Sequence, residues 1–263
     1  MVKSGYALFF DIDGTLYFNG KISEENVREL NRVRENGNMI FINTGRSYGW
    51  CPDELVNGDV DWNGFICGSA FVVANGRVLC DKRLSRKCVE QVIRFCEERK
   101  ICVNIEGVDK SHIVIPDGAA VPAHFASFKL TEKTEVLYNN FDSLLCSPMA
   151  EKITKVSFLS PLTPEDVSKF DELWFVHFNT YTEGILKGYN KATGISVIEK
   201  ELGVPHEKTV AFGDSENDIE ALDYAHTSVL VMHEGSAMTD YPATVKITGE
   251  PTTAIARYLK ENF

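Results

Sequence analysis

Asp11 and Asp13 stand one residue apart at the end of the apolar run Tyr6 to Phe10, with Gly14, Thr15 and Leu16 directly after them. Two carboxylates that close repel each other unless a cation or a bound proton offsets their charge. The same residues also read as an ordinary polar turn after a strand, since Asp and Gly are common turn formers. Other stretches weigh on that choice. Thr44 and Gly45 close a second apolar run, and Asp214 closes a third, with Asn217 and Asp218 just beyond. Lys191 opens a helical stretch between the second and the third. Oxygen ligands on loops suit a hard cation, and Mg²⁺ typically takes one or two carboxylates with water and substrate phosphate. Asp11, Asp13 and Asp214 provide that seat. No His or Cys clusters with them, which argues against zinc. A carboxylate is also a competent covalent nucleophile that can form an aspartyl-phosphate. Thr44, the amides beside it and Lys191 would then hold the phosphoryl oxygens.

These residues need elements that bring them together. Tyr6 to Phe10 is a short aromatic-rich run suited to a buried central strand. Residues 23–36 read as a helix with Ser23 as N-cap, an apolar stripe at Val27, Leu30 and Val33, and Gly37 as its close. Met39 to Ile42 is a second strand, so the three form a βαβ unit whose strand ends share one edge. Chemistry in an open parallel sheet collects at that edge. Residues 62–80 contain strands around a hairpin turn at Asn75 and Gly76. From there the pattern changes. A helix over 85–99, strands at 101–105 and 112–115, a loop at 116–123, a helix over 131–140 and a strand at 154–159 are expected. Thr163 then caps a helix over 164–171, and a β-like run follows from Leu173 to Phe178. Afterwards the α/β pattern resumes: a helix over 190–202, a strand Thr209 to Phe212, a helix over 218–225, a strand Ser228 to Met232 and a closing helix over 252–260.

The chain has 263 residues, 44% hydrophobic and 25% charged, with a formal net charge of −11. That size accommodates a core with a second, smaller domain. The acidic balance argues against a nucleic-acid or anionic-membrane partner, both of which demand a basic patch. It would also repel a phosphorylated substrate, so the site itself must reverse the field. No stretch approaches the roughly 20 apolar residues of a membrane helix, and no signal-peptide pattern opens the chain. The seven cysteines have no C-x-x-C pair and sit mostly in apolar segments, as buried thiols of a cytoplasmic protein do.

Asp11 to Leu16 resembles the first motif of haloacid-dehalogenase-superfamily phosphatases, and Asn43 to Arg46 the second. Lys187 to Lys191 is similar to the lysine motif of the Cof-type branch, and Gly213 to Asp218 to the acidic fourth motif. All four stand in family order and, with the inserted module, span nearly the whole chain. The resemblance implies a doubly wound, Rossmann-like α/β core over 1–82 and 188–263, with an inserted α+β cap of class II over 83–187. It implies that Asp11 attacks phosphorus, and that Asp13 protonates the leaving alcohol and then activates water. Mg²⁺ would be held by Asp11, the Asp13 backbone carbonyl and Asp214. Thr44, Gly45, Lys191 and Asn217 would bind phosphate, with Asp218 supporting the site. The implied substrate is a small phosphorylated metabolite, with sugar phosphates the leading class. A phosphotransferase or mutase would use the same intermediate, and a non-catalytic phospho-acceptor also gathers acids and a lysine at strand ends.

Lys187 competes with Lys191, but the spacing from Gly188 favours Lys191. Arg46 reads as a loop anchor, and Asn217 also reads as a helix cap. Glu183 falls where related phosphatases commonly carry a glutamate, and His112, His124 and His177 lie in the inserted module. The sequence departs from the family pattern at Ala192, at Gly68 to Ala70, and at Met232 to Ala237.

Overall fold

The computed structural model describes residues 5–123, 133–138, 141–146, 148–233, 236, 238–250 and 252–263. The chain forms two compact units, one of Met1–Gly45, Asp53–Cys80 and Asn190–Phe263, the other of Arg46–Pro52 and Asp81–Tyr189. The short stretch Arg46–Pro52, which the sequence reading leaves with the first block, therefore clusters with the second unit.

The first unit begins with β1 (Ala7–Phe10), the small hairpin β2 (Tyr17–Phe18) and β3 (Lys21–Ile22), α1 (Glu24–Glu35) and β4 (Met39–Thr44). Then come α2 (Asp53–Asn57), β5 (Gly64–Cys67), β6 (Phe71–Ala74) and β7 (Arg77–Asp81). The sheet has the order β16-β15-β14-β1-β4-β5-β6-β7, where β14 is Thr209–Gly213, β15 is Thr227–Met232 and β16 is Val245–Thr248. From β16 to β5 neighbouring strands are parallel, and β6 turns back antiparallel to β5. β1 is buried at every position because it lies mid-sheet with both faces covered. Ala7 and Phe9 pack with α6 (Lys191–Leu202) and α7 (Ile219–Tyr224), while Leu8 and Phe10 pack with α1 and α8 (Ala254–Asn262). Alternate side chains of one strand thus enter two cores, the period-two consequence of a doubly wound sheet. Phe10 stacks on Phe212 and Phe9 on Phe41, at ring-centroid distances of 4.3 and 5.2 Å.

Ser23 caps α1 by accepting from the Asn26 N–H. Asn26 does more: fully buried, its Oδ1 accepts from the Ala256 N–H at 3.0 Å, so one helix caps the first turn of another. Asn26→Ala orphans that donor and should cost roughly 1–3 kcal/mol, read as a shift of the urea midpoint at unchanged slope. A midpoint equal to wild type would show that the cap is not needed.

In the second unit α3 (Arg86–Arg99) precedes a sheet of β8 (Val103–Gly107), β9 (Ser111–Ile115), β10 (Thr134–Tyr138), β11 (Ile153–Phe158), β12 (Leu173–His177) and β13 (Thr182–Leu186). Its order is β10-β9-β8-β11-β13-β12, antiparallel except for the parallel β9/β10 pair. α3 lays Val89, Val92, Ile93 and Cys96 against Val103, Ile105, Val156 and Phe158. Among the described residues the unit also holds the short helices α4 (Phe141–Cys146) and α5 (Pro164–Val167). The helix expected over 131–140 is instead strand β10, in register with β9 from Thr134↔Ser111 to Tyr138↔Ile115. Thr, Val and Tyr there favour a pleated surface. The ends of that expected helix, and His124, lie outside the described residues. The helix expected over 164–171 stops at Val167, because Ser168 caps it and Phe170 turns into the core. No helix among the described residues is long and apolar enough to cross a membrane.

Candidate active site

β14, β1 and β4 are adjacent parallel strands, so Asp214, Asp11 and Thr44 emerge at the same sheet edge. The Asp11 N–H donates to the Phe212 carbonyl at 3.0 Å, extending strand pairing to the residue that bears the carboxylate. Lys191 is the first residue of α6, whose N-cap Asn190 forms a reciprocal capping box with Thr193. Asn43 Nδ2, one residue before Thr44, donates to the Lys191 carbonyl at 3.3 Å and ties that helix start to β4.

The side chains meet. Lys191 Nζ lies 2.6 Å from Asp11 Oδ1 and also donates to Asp218 Oδ1. Lys191 and Asp11 are both 4% exposed, and Asp218 is 1% exposed. Carboxylate oxygens of Asp11, Asp214 and Asp218 all lie within 4.8 Å of one another. Three carboxylates against one ammonium leave an excess of two negative charges. The electrostatics reflect this. Burial, with Asp218 and Asp214 adding to it, pushes the Asp11 carboxyl well above the usual range despite the opposing pull of Lys191. Burial and Asp218 likewise raise Asp214, against the Thr15 hydrogen bond, Lys191 and His233. Burial works against the Lys191 ammonium, but Asp11 and Asp218 outweigh it and hold that group above the ordinary lysine range.

Asp218 has both oxygens committed: Oδ1 to Lys191, and Oδ2 to the amides of Asp214 and Ser215 at 3.0 and 3.2 Å. It therefore orients the lysine and the loop. Asp11 and Asp214 are better placed to offer oxygen to a cation, and an all-oxygen, negatively charged set fits a hard divalent ion. Gly14, at φ +92°, is required here, because a Cβ on it would fall 2.4 Å from Asp214 Oδ2. Asp13 is exposed, two residues beyond Asp11, and its backbone bridges to Tyr17. Thr44 is 2% exposed, Gly45 and Asn217 are half-buried, and Asn217 Oδ1 accepts from Ser215 Oγ at 3.0 Å. Lys187 is exposed, so Lys191 is the lysine that reaches the carboxylates.

Three further residues contribute to this cluster. Thr15 Oγ1 donates to Asp214 Oδ1 at 2.9 Å, Asn43 holds the Lys191 carbonyl, and His233 Nε2 stands 3.7 Å from Asp214 Oδ2. Thr15 is a short polar residue in a turn, where a local role is the ordinary reading, and Asn43 lies near the end of β4. His233 lies within the Met232 to Ala237 departure from the family pattern.

A family model of haloacid dehalogenase-like hydrolases matches residues 8–259. The 5-amino-6-(5-phospho-D-ribitylamino)uracil phosphatase YitU of Bacillus subtilis is 28% identical, over 100% of this chain and 99% of that protein. The structure of the subclass IIB sugar phosphatase BT4131 superposes with a TM-score of 0.77 at 19% identity, covering 97% of this chain and 98% of that one. A hypothetical protein of Geobacillus kaustophilus superposes with a TM-score of 0.81 at 24% identity, over 98% of both chains. The four motifs, the sheet order and the matched span agree: the chain belongs to the haloacid dehalogenase-like hydrolases, as a phosphatase of the Cof type.

Proposed function

We propose that the protein is a Mg²⁺-dependent phosphatase that hydrolyses small phosphomonoesters, sugar phosphates foremost, through an aspartyl-phosphate on Asp11. The observation that carries this reading is the buried Lys191 ammonium between Asp11 and Asp218, with Asp214 alongside. Phosphoryl transfer depends on positioning and charge neutralisation more than on covalent machinery. Lys191 orients Asp11 through one carboxylate oxygen and leaves the other to attack phosphorus. Thr44, the Gly45 amide and Asn217, with Lys191, hold the remaining phosphoryl oxygens. Asp13, exposed where Asp11 is buried, gives its proton to the leaving alcohol and then takes one from the water that cleaves the acyl phosphate. Two carboxylates with such unlike surroundings can serve as nucleophile and as acid/base. Mg²⁺, held by Asp11, Asp214 and the Asp13 carbonyl, would neutralise charge on the phosphoryl oxygens. The sugar-phosphate class is supported by the phosphorylated ribityl compound named for YitU and by the sugar phosphatase named for BT4131.

Purified protein should hydrolyse p-nitrophenyl phosphate with Mg²⁺ and lose that activity in EDTA; clean protein with no turnover in either condition would refute the reading. Among sugar, nucleotide and amino-acid phosphates, the highest kcat/KM is expected in the sugar class. Thr15→Val removes the hydroxyl that orients Asp214, and loss of such a partner typically costs about 10–100-fold in metal affinity. Calorimetric titration with Mg²⁺ reads this directly, and an unchanged affinity would remove Thr15 from the site.

A further inference from the structure

The turn Gly68 to Ala70 joins β5 to β6, whose pairing closes at Cys67↔Phe71. It stands at the sheet edge that carries the site, because β5 runs parallel to β4 with Cys67 opposite Thr44. The Gly68 N–H donates to the Thr44 carbonyl at 3.1 Å and continues that pairing one residue past the strand. Adjacent strands lie about 4.8 Å apart. The turn is therefore the next segment beside Thr44, on the side away from Asp11. The helix that Lys191 opens meets the same strand. Gly194, in its first turn, lies so close to Ile66 of β5 that a Cβ would overlap that side chain.

Ser69, in this turn, has φ +62°. That left-handed conformation is free for glycine, tolerated by asparagine and costly for most other side chains. Among the described residues three other non-glycines adopt it: Asn19 and Asn75 in hairpin turns, and Lys100 at the end of α3. All three are exposed. Ser69 is 5% exposed. A three-residue hairpin turn calls for a left-handed residue, but it does not call for a hydroxyl. Nor do the described residues use that hydroxyl, which makes no hydrogen bond among them and is available to a ligand. A covered side chain held in a costly conformation beside a reactive edge points to a task for that side chain.

We propose that Ser69 is a substrate-contacting residue whose hydroxyl donates to an oxygen of the phosphoryl group held by Thr44, Gly45 and Lys191. The inference rests on the proposed role of those three residues and extends their site by one strand. Glycine would suit the turn better and the ligand worse, so the serine gives up stability for binding.

The test measures kcat and KM for p-nitrophenyl phosphate, the competitive Ki of inorganic phosphate and the melting temperature in Ser69→Ala and Ser69→Gly. Ser69→Ala removes the hydroxyl and keeps the backbone cost; Ser69→Gly removes both. In each variant Ki and KM should rise together by roughly tenfold, the loss of one hydrogen bond to a charged acceptor. kcat should stay near wild type. Ser69→Ala should melt near wild type and Ser69→Gly at or above it, because glycine adopts positive φ freely. Wild-type Ki in both variants overturns the proposal. So does a rise in KM at unchanged Ki, which would set the hydroxyl against the leaving group instead. A lower melting temperature in both variants also overturns it, since the hydroxyl would then serve the fold. If wild-type protein neither turns over the ester nor binds phosphate, the phosphate site falls and Ser69 with it. Wild-type turnover with unaltered variants removes Ser69 alone.

Discussion

Replacing Asp11 with asparagine should abolish turnover, lowering kcat for p-nitrophenyl phosphate by at least roughly 10³–10⁴-fold. The substitution preserves shape and leaves an amide oxygen to accept from Lys191, now 2.6 Å from Asp11 Oδ1. It removes a carboxylate that burial and two neighbouring acids already push toward protonation. The variant should therefore fold as stably as wild type, or more so. Loss of rate without loss of stability separates a nucleophile from a structural acid. Wild-type rates from folded Asp11→Asn would remove the nucleophile from the account.

Lys191→Met should act on both rate and stability. Without the ammonium, no fixed positive charge faces the transferring phosphoryl group from α6, and a loss of roughly 10²–10³ in kcat is expected. Asp11 and Asp218 also lose their shared partner in a fully covered site, and breaking a buried pair costs about 3–5 kcal/mol. The sign of the pH dependence follows. A carboxyl whose folded pKa lies above its unfolded value contributes stability that is present below the unfolded value and lost as pH rises through the folded one. Asp11 is already raised in wild type, and removing Lys191 removes the pull that opposes the rise. In EDTA, Lys191→Met should thus be closer to wild type in melting temperature near about pH 5 than near about pH 8. An unchanged kcat would shift attention to Lys187, although that side chain is exposed.

Much of this architecture is written in local pattern. Ser23, Thr163 and Gly203 punctuate helices where capping chemistry says they should, and the apolar strand runs ending in Asp11, Thr44 and Asp214 mark one sheet edge. Where local pattern was ambiguous, tertiary context decided. Thr134 to Tyr138 carries no strong breaker, and pairing with β9 makes it a strand. The site was legible as far as its charged residues went, because carboxylates and a lysine at strand and helix ends are costly without a task. Its supports were not. Thr15 and Asn43 act through single hydrogen bonds to partners far along the chain, which no local spacing encodes, as does Asn26 between α1 and α8. Glu106 and Lys155 are charged residues on strands β8 and β11, yet both are buried. Asp218 was expected to support the site. It holds Lys191 through one oxygen and two backbone amides through the other.

The central claim is that the phosphoryl group passes through Asp11. Asp13→Asn removes the group proposed to activate water, and p-nitrophenolate leaves without an acid, so with p-nitrophenyl phosphate as substrate the acyl phosphate should accumulate on that variant. Quenching Asp13→Asn with substrate and Mg²⁺ in acid, followed by proteolysis and mass spectrometry, locates the phosphoryl group. The account predicts it on Asp11, with the signal absent when Asp11→Asn is added. A phosphoryl group on any other residue, or undiminished labelling in the double variant, would contradict it.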